Sequence, residues 1–233
     1  MRDDEKPGLR RMPLFRNMMS QTFDGLMEVA YSQTFPPQLE LFHQGHSADF
    51  LHVVMEGAVE LHAEWNGRKT VMAVVRPVST FLLAACLRDT PYLMSARTLE
   101  RSRVVLLPAS DLRTAMRRDP DLAMAAMAEL ADGYRSMVCH AKGMKLRSAR
   151  ERIAAWILTQ SEGSASLMLK IEKQQLAAYL GITPESLSRT LRSMQADGLL
   201  ADGSRITITD RASLRKLAIL DPLMDNPAMV KGA

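Results

Sequence analysis

Residues 173–194, KQQLAAYLGITPESLSRTLRSM, constrain the fold more than any other stretch of the chain. Two short amphipathic segments meet at Gly181, where a sharp turn calls for a left-handed backbone that a Cβ would penalise. Leu176, Leu180, Ile182, Leu187 and Leu191 are apolar at spacings that pack two helices against each other. Thr183 carries the side-chain oxygen of an N-cap. Pro184 suits the first helical position, where its missing N–H would have no partner in any case. The pattern predicts a helix-turn-helix whose second helix begins at Pro184.

Glu185, Ser188 and Arg189 then stand at i, i+3 and i+4, on one face of the first turns of that helix. A recognition helix presents side chains to base edges in the major groove from those turns. Arg189 can fork two hydrogen bonds onto guanine O6 and N7, Glu185 can accept from a cytosine amine, and Ser188 can touch a base edge or a thymine methyl. Each bidentate pair is worth about 1–3 kcal/mol of base discrimination. Glu185 and Arg189 as an ordinary exposed i,i+4 pair would contribute only about 0.3–0.5 kcal/mol. The turn, the cap and the apolar spacing together favour the reader. Thr183 and Lys173 complete the expected DNA-contacting set, and double-stranded DNA is the expected partner. LLADGSRITITD then reads as a β-hairpin turning at Asp202-Gly203, a wing beside the reader.

The charge distribution agrees. Residues 145–233 hold 13 Lys+Arg against 9 Asp+Glu, and residues 1–144 hold 17 of each, so the net +4 lies wholly in the half with the reader. Apolar runs such as residues 81–87 are far too short to cross a bilayer. The opening MRDDEKPGLRR has no apolar core of a signal peptide, so a cytoplasmic protein without membrane attachment is expected. Two cysteines, Cys86 and Cys139, make neither a disulfide framework nor a four-cysteine metal site within one chain.

Upstream of Pro108 the pattern is of short strands, at residues 50–55, 58–65, 69–75, 92–99 and 103–107, with Asn66-Gly67 as a hairpin turn. That implies a small antiparallel barrel or jelly roll. A short helix is expected over 109–118 and a long one over 121–145. Along the long one Met127, Leu130, Tyr134, Met137, Ala141 and Met144 recur with the alternating three- and four-residue spacing of a coiled-coil seam. Dimerisation through that stripe, or packing of the stripe on the barrel, would bury it. Gly133 and Gly143 interrupt this helix as points of close approach or as a hinge. A further helix over 146–159 and a strand over 167–171 precede the reader. The expected architecture is α+β: an N-terminal β-barrel sensor (1–120), a dimerisation helix (121–145), a winged helix-turn-helix (146–220) and a tail (221–233).

Barrel, long helix and winged helix-turn-helix in this order resemble the CRP/FNR superfamily of bacterial transcription regulators, over about residues 13–218. The E-x-x-S-R pattern of Glu185, Ser188 and Arg189 resembles the FNR-like branch. The resemblance implies a homodimer on a palindrome of TTGAT-type half-sites, Glu185 and Arg189 reading a G·C pair, Ser188 helping to select the outer T, and RNA polymerase as a partner. It does not imply an enzyme.

The sensing half departs from the best-known members. FNR proteins hold an iron–sulfur cluster on four cysteines, three of them near the N-terminus, and here none precedes Cys86. Cyclic-AMP receptors carry a G-E…R-S phosphate cassette, whereas this chain has Leu83-Ala84 and Met94-Ser95 there. An anionic phosphate needs an Arg or a row of amides, and Met94 offers no charge. A gapless alignment back from Arg152 also places Met137-Val138 where such receptors hold polar adenine contacts. Neither an iron–sulfur cluster nor a cyclic nucleotide is expected. The expected effector pocket is apolar, built from Phe81, Leu83, Met94 and Met137 with Leu82 and Met144 nearby. F-x-x-A…(L/M)-x-D-T-P-Y resembles the nitric-oxide-responsive Dnr and NnrR denitrification regulators, which implies haem as the nitric oxide sensor. The equally weighted alternative is a pocket filled as core, with no ligand.

No metal ligand is singled out. His43, His46, His52 and His62 lie in or beside the strands, and His140 lies on the long helix, three residues past Met137, where it could approach the barrel. Cys86 and Cys139 are minority candidates for a redox or nitrosylation switch. The rival from another class is a cupin-type metal enzyme using His43, His46, His52 and Glu56. In an extended strand His43 and His46 would point to opposite faces, which speaks against it.

Overall fold

The computed structural model describes residues 4–169 and 172–225, which form two compact units, one ending at Ala131 and the other beginning at Asp132. In the first unit, α1 (Lys6–Arg10) and α2 (Ser20–Val29) precede eight strands. These are β1 (Tyr31–Phe35), β2 (Glu40–Phe42), β3 (Phe50–Glu56), β4 (Val59–Trp65), β5 (Arg68–Val75), β6 (Ser79–Phe81), β7 (Ser95–Thr98) and β8 (Ser102–Pro108). A short helix, α3 (Leu83–Arg88), lies between β6 and β7, and α4 (Ala109–Arg118) and α5 (Pro120–Leu146) follow. The strands pair antiparallel in two four-stranded sheets, ordered β1-β8-β3-β6 and β2-β7-β4-β5. The result is a jelly roll of two sheets rather than a closed barrel.

Local chemistry accounts for the turns. Asn66 (φ 49°) and Gly67 (φ 71°) are both left-handed, the two-residue turn whose twist matches the β4–β5 hairpin. Gly57 (φ 82°) is held more tightly: a Cβ there would lie 2.4 Å from Ser102 Oγ and 2.7 Å from the Arg101 carbonyl. The strand expected over 92–99 is shorter. Tyr92 stands before β7, its carbonyl accepting from Gly45 N–H (2.7 Å) and its own N–H donating to the His46 carbonyl (2.9 Å). Leu51, Val53, Val54, Val59, Val104, Val105 and Leu107 fill the core.

Asp119 joins distant segments. Its carboxylate accepts from Met19 N–H (2.7 Å) and from the amides of Asp121 and Leu122 (3.1 Å each), capping the start of α5. Burial pushes this carboxyl up, but those amides and the Thr22 hydroxyl outweigh it and hold it below the ordinary range.

The second unit contains α6 (Ala149–Gln160), β9 (Ser166–Met168), α7 (Lys173–Tyr179), α8 (Pro184–Ser193), β10 (Leu199–Asp202), β11 (Arg205–Ile208), α9 (Arg211–Ala218) and α10 (Pro222–Asp225). The winged sheet is ordered β10-β11-β9. The helix expected from residue 146 starts later. Ser148 Oγ accepts from Glu151 N–H (3.3 Å) while Ser148 N–H donates to Glu151 Oε2 (2.6 Å), a capping box that ends one helix and opens the next. The strand expected over 167–171 is β9, ending at Met168, and Ile171 lies outside the described residues. Among the described residues no helix is long and apolar enough to cross a membrane.

Candidate nucleic-acid interface and sensor cleft

The helix-turn-helix forms where the pattern places it. Gly181 has φ 65°, and its N–H donates to the Ala178 carbonyl at 3.0 Å, closing the turn after α7. Thr183 Oγ1 accepts from Ser186 N–H at 3.2 Å, and Pro184 occupies the first position of α8. Leu176, Leu180, Leu187 and Leu191 are buried and Ile182 packs on them half-buried, so one face of each helix is committed to the core. That burial fixes the opposite face of α8. Glu185 and Arg189 are exposed there, Ser188 is half-buried, and Thr183 and Lys173 are exposed. Hydrogen bonds with its own backbone amide, and then with the Thr183 hydroxyl, hold the Glu185 carboxyl below its ordinary value, with Arg189 adding to the effect. Arg189 reaches Ser186 Oγ only at 3.5 Å, a long contact that leaves its fork available to a ligand. An ionised acceptor and a planar donor fork thus sit one helical turn apart on a capped, outward face.

The same unit includes the end of α5. Met144, a residue of the expected seam, is 37% exposed. It lies over the reader's turn, where a Cβ on Gly181 would come within 2.0 Å of its Cε. His140 packs on Tyr179 of α7, with ring centroids 5.1 Å apart. Arg152 ties the two regions together, donating from Nε to the Leu180 carbonyl (3.0 Å) and from its terminal nitrogen to the Arg147 carbonyl (2.6 Å). Arg147 in turn forks onto Asp225 at 2.6 and 2.7 Å, and Lys142 pairs with Asp221 at 3.9 Å. Gly143 therefore sits inside a stretch fastened on both sides, which opposes its role as a hinge. A Cβ at Gly133 or Gly143 would meet nothing within 4 Å, so neither marks a close approach within the chain.

The proposed seam divides in the same way. Met127, Tyr134 and Met137 are 53%, 72% and 59% exposed, and Ala141 is exposed beside them. Leu130 instead packs half-buried against the jelly-roll core. Met124, 61% exposed, extends the apolar stripe by one turn that the heptad pattern did not include.

Two family models match in the order of the fold. The cyclic nucleotide-binding domain covers residues 32–119, and the Crp-like helix-turn-helix domain covers residues 151–217. The chain belongs to the CRP/FNR family of transcription regulators. It is 24% identical to the cyclic AMP receptor protein of Thermus thermophilus over 212 residues, which is 90% of this chain and 98% of that protein. It is 27% identical to the nitrogen fixation regulation protein FixK of Azorhizobium caulinodans over 195 residues, 78% of this chain and 77% of the other. The structure of FixK2 from Bradyrhizobium japonicum superposes with a TM-score of 0.67, covering 81% of this chain and 97% of that one at 23% identity. CRP/FNR proteins are regulators rather than enzymes, so the cupin alternative falls, and DNA binding through the helix-turn-helix stands.

In this CRP/FNR regulator the four expected pocket residues divide between the two units. Phe81 and Leu83 are each 5% exposed and belong to the packed core, Met94 lies half-buried against it, and Met137 belongs to the second unit. A cleft of about 490 Å³ opens in the first unit between the β2–β3 loop and Tyr92, with Phe42, Phe50, His52 and Tyr92 among its lining. Phe42 and Tyr92 stack at 4.1 Å, and the His52 ring lies 4.9 Å from Phe42 and 5.1 Å from Phe81. Burial pushes the His52 pKa down to about 4, against the Phe50 carbonyl, so the imidazole is neutral. The register His52↔Phe81 in β3–β6 and the β2–β7 pairing bring these rings together across long stretches of chain, which is why sequence spacing alone did not place them.

Cys86 is buried, its Sγ 3.2 Å from the Phe50 carbonyl, and desolvation lifts the thiol to about 12, far from a reactive thiolate. Cys139 donates to the Leu223 carbonyl at 3.2 Å. His62 sits buried between Glu40 (3.6 Å) and Glu60 (3.9 Å), and Arg97 also holds Glu60 at 2.8 Å. His43 and His46 are not on an extended strand: the turn at Gly45 brings their rings to 5.4 Å. Among the described residues no group of three or more His, Cys, Asp or Glu is arranged to hold a metal ion.

Proposed function

We propose that the protein is a homodimeric regulator that reads a palindrome of TTGAT-type half-sites through Glu185, Ser188 and Arg189, with Lys173 and Thr183 on the flanking phosphates. The observation that carries this reading is the ionised Glu185 and exposed Arg189 on the capped first turns of α8. The exposed stripe of Met124, Met127, Tyr134 and Met137 supports α5 as the dimer contact, which sets two recognition helices one DNA turn, about 34 Å, apart. In the cytoplasm such a dimer would recruit RNA polymerase as an activator. Binding to a TTGAT palindrome, compared by fluorescence anisotropy with a palindrome whose G·C pairs are inverted, tests the reading. Equal affinity for both would defeat it.

For the sensing half we propose a response to nitric oxide in the control of nitrogen-oxide metabolism, as the resemblance to the Dnr and NnrR regulators implies. Phe81 and Leu83 are packed in the core and Met94 lies half-buried against it, so haem there would have to part these side chains. An anaerobic titration with haem, before and after nitric oxide, decides the vehicle. One-per-chain uptake with a band that shifts on nitric oxide would reinstate haem. No uptake would remove it and leave the DNA reading intact.

A further inference from the structure

The joint between α5 and α6 is tied twice through one residue. α5 ends at Leu146, and Ser148 (φ −65°, ψ 163°) turns the chain into α6. Between them, the Arg147 carbonyl accepts from Arg152 at 2.6 Å. The Nε of that same Arg152 donates to the carbonyl of Leu180, the residue before the reader's turn at Gly181. The Arg147 side chain makes the second tie. Its guanidinium forks onto both oxygens of Asp225 (2.7 and 2.6 Å) and donates to the Ile219 carbonyl (3.1 Å). The two side chains are only 10% and 13% exposed, so the pair is not a solvated surface contact. A planar fork on a carboxylate fixes direction as well as distance.

The segment that supplies Asp225 is itself braced. Asp225 Oδ2 accepts from Asp221 N–H (2.8 Å), and Asp221 Oδ1 accepts from Leu223 N–H (2.9 Å). It also meets α5 directly, through Cys139 Sγ on the Leu223 carbonyl (3.2 Å) and Lys142 beside Asp221 (3.9 Å). At about 100° per residue, Cys139 stands roughly 160° around the helix from both Met137 and Ala141. The segment therefore lies along the back of α5, and Tyr134, Met137 and Ala141 stay exposed. A strap in that place does not compete with a partner helix.

We propose that residues 219–225 are a strap that fixes the orientation of the reader against the end of α5, with Arg147 and Asp225 as positioning residues for DNA recognition. The pair acts through the joint, by holding α8 at one angle to the stripe of Tyr134 and Met137. In a homodimer that angle decides which separation of half-sites both readers reach at once, so the pair sets spacing rather than base sequence. One added base pair turns the second half-site by about 35° and moves it about 3.4 Å. A fixed joint cannot follow that displacement, and a loosened one can. The consequence for DNA rests on the homodimer of the proposed function, whereas the strap itself does not.

The test uses the full chain and Asp225→Asn, which keeps the shape of the side chain and removes its charge. Hydrogen exchange followed by mass spectrometry should show residues 143–147 exchanging about tenfold faster in the variant, with the jelly-roll strands unchanged. On DNA, one base pair inserted between TTGAT half-sites should cost the wild type about tenfold in affinity and the variant no more than about threefold. Affinity for a duplex carrying a single half-site should be the same in both, which a general weakening of the reader would not give. Arg147→Lys, a cation without the fork, should behave like Asp225→Asn. Unchanged exchange at residues 143–147, or equal spacing penalties in wild type and both variants, would overturn the proposal. Loss of the TTGAT preference in the wild type itself would instead defeat the base reading, and the exchange result would then decide the strap alone.

Discussion

In the reading unit the chemistry stands on the outside of a helix whose inner face is leucine, whereas in the sensing unit the polar groups His52, His62 and Glu60 are buried among strands. The two arrangements fail differently. Side chains on α8 can change without disturbing the core beneath them, because Leu187 and Leu191 hold the helix and Thr183 caps it. In the sensing unit the polar atoms share space with the core, so function and stability are coupled there.

That contrast can be broken most forcefully at Gly57. Valine there would face the Arg101 carbonyl at 2.7 Å from its Cβ in a left-handed backbone, and should destabilise the protein by more than about 4 kcal/mol in a thermal melt. A variant that melts near wild type would show that the β3–β4 turn is softer than its contacts imply. Arg189→Ala should weaken TTGAT binding by about 1–3 kcal/mol, roughly 5- to 150-fold, with the melting temperature and non-specific DNA binding unchanged. A matching loss of stability would mean the outward face is not independent of the core.

His52 gives the pH arm. Its folded-state pKa, about 4, lies below the ordinary 6.5, so the unfolded chain takes up the proton first. Stability is complete above pH 6.5 and falls as the pH drops from 6.5 towards 4, by up to about tenfold in the folding equilibrium per pH unit. His52→Phe should flatten the profile over that window in urea titrations. Gly181→Ala should cost about 1–2 kcal/mol, from its left-handed backbone and from Met144. Adding Met144→Ala should relieve only the contact part, which a double-mutant cycle isolates. Ser148→Ala sharpens the comparison least: loss of the capping box should cost about 1 kcal/mol and leave base selection unchanged.

The residues by themselves determined the reader. Gly181, Thr183, Pro184 and the leucine spacing specify a turn, a cap and a buried stripe by interactions within a few residues, so α7, α8 and the outward place of Glu185 and Arg189 followed from local rules. The hairpin at Asn66-Gly67 and helix α4 were legible for the same reason. The break at Ser148 was legible too, since S-x-x-E marks a capping box, but the continuous apolar pattern on either side obscured it. Tertiary structure decided what joins residues far apart. Strand register brought the Phe42, His52, Phe81 and Tyr92 rings together and packed Phe81 into the core. The absence of a side chain at Gly181 let Met144 settle over the turn. A heptad pattern gives a helix its apolar face but not the partner of that face, because burial is non-directional and any apolar surface within reach can supply it.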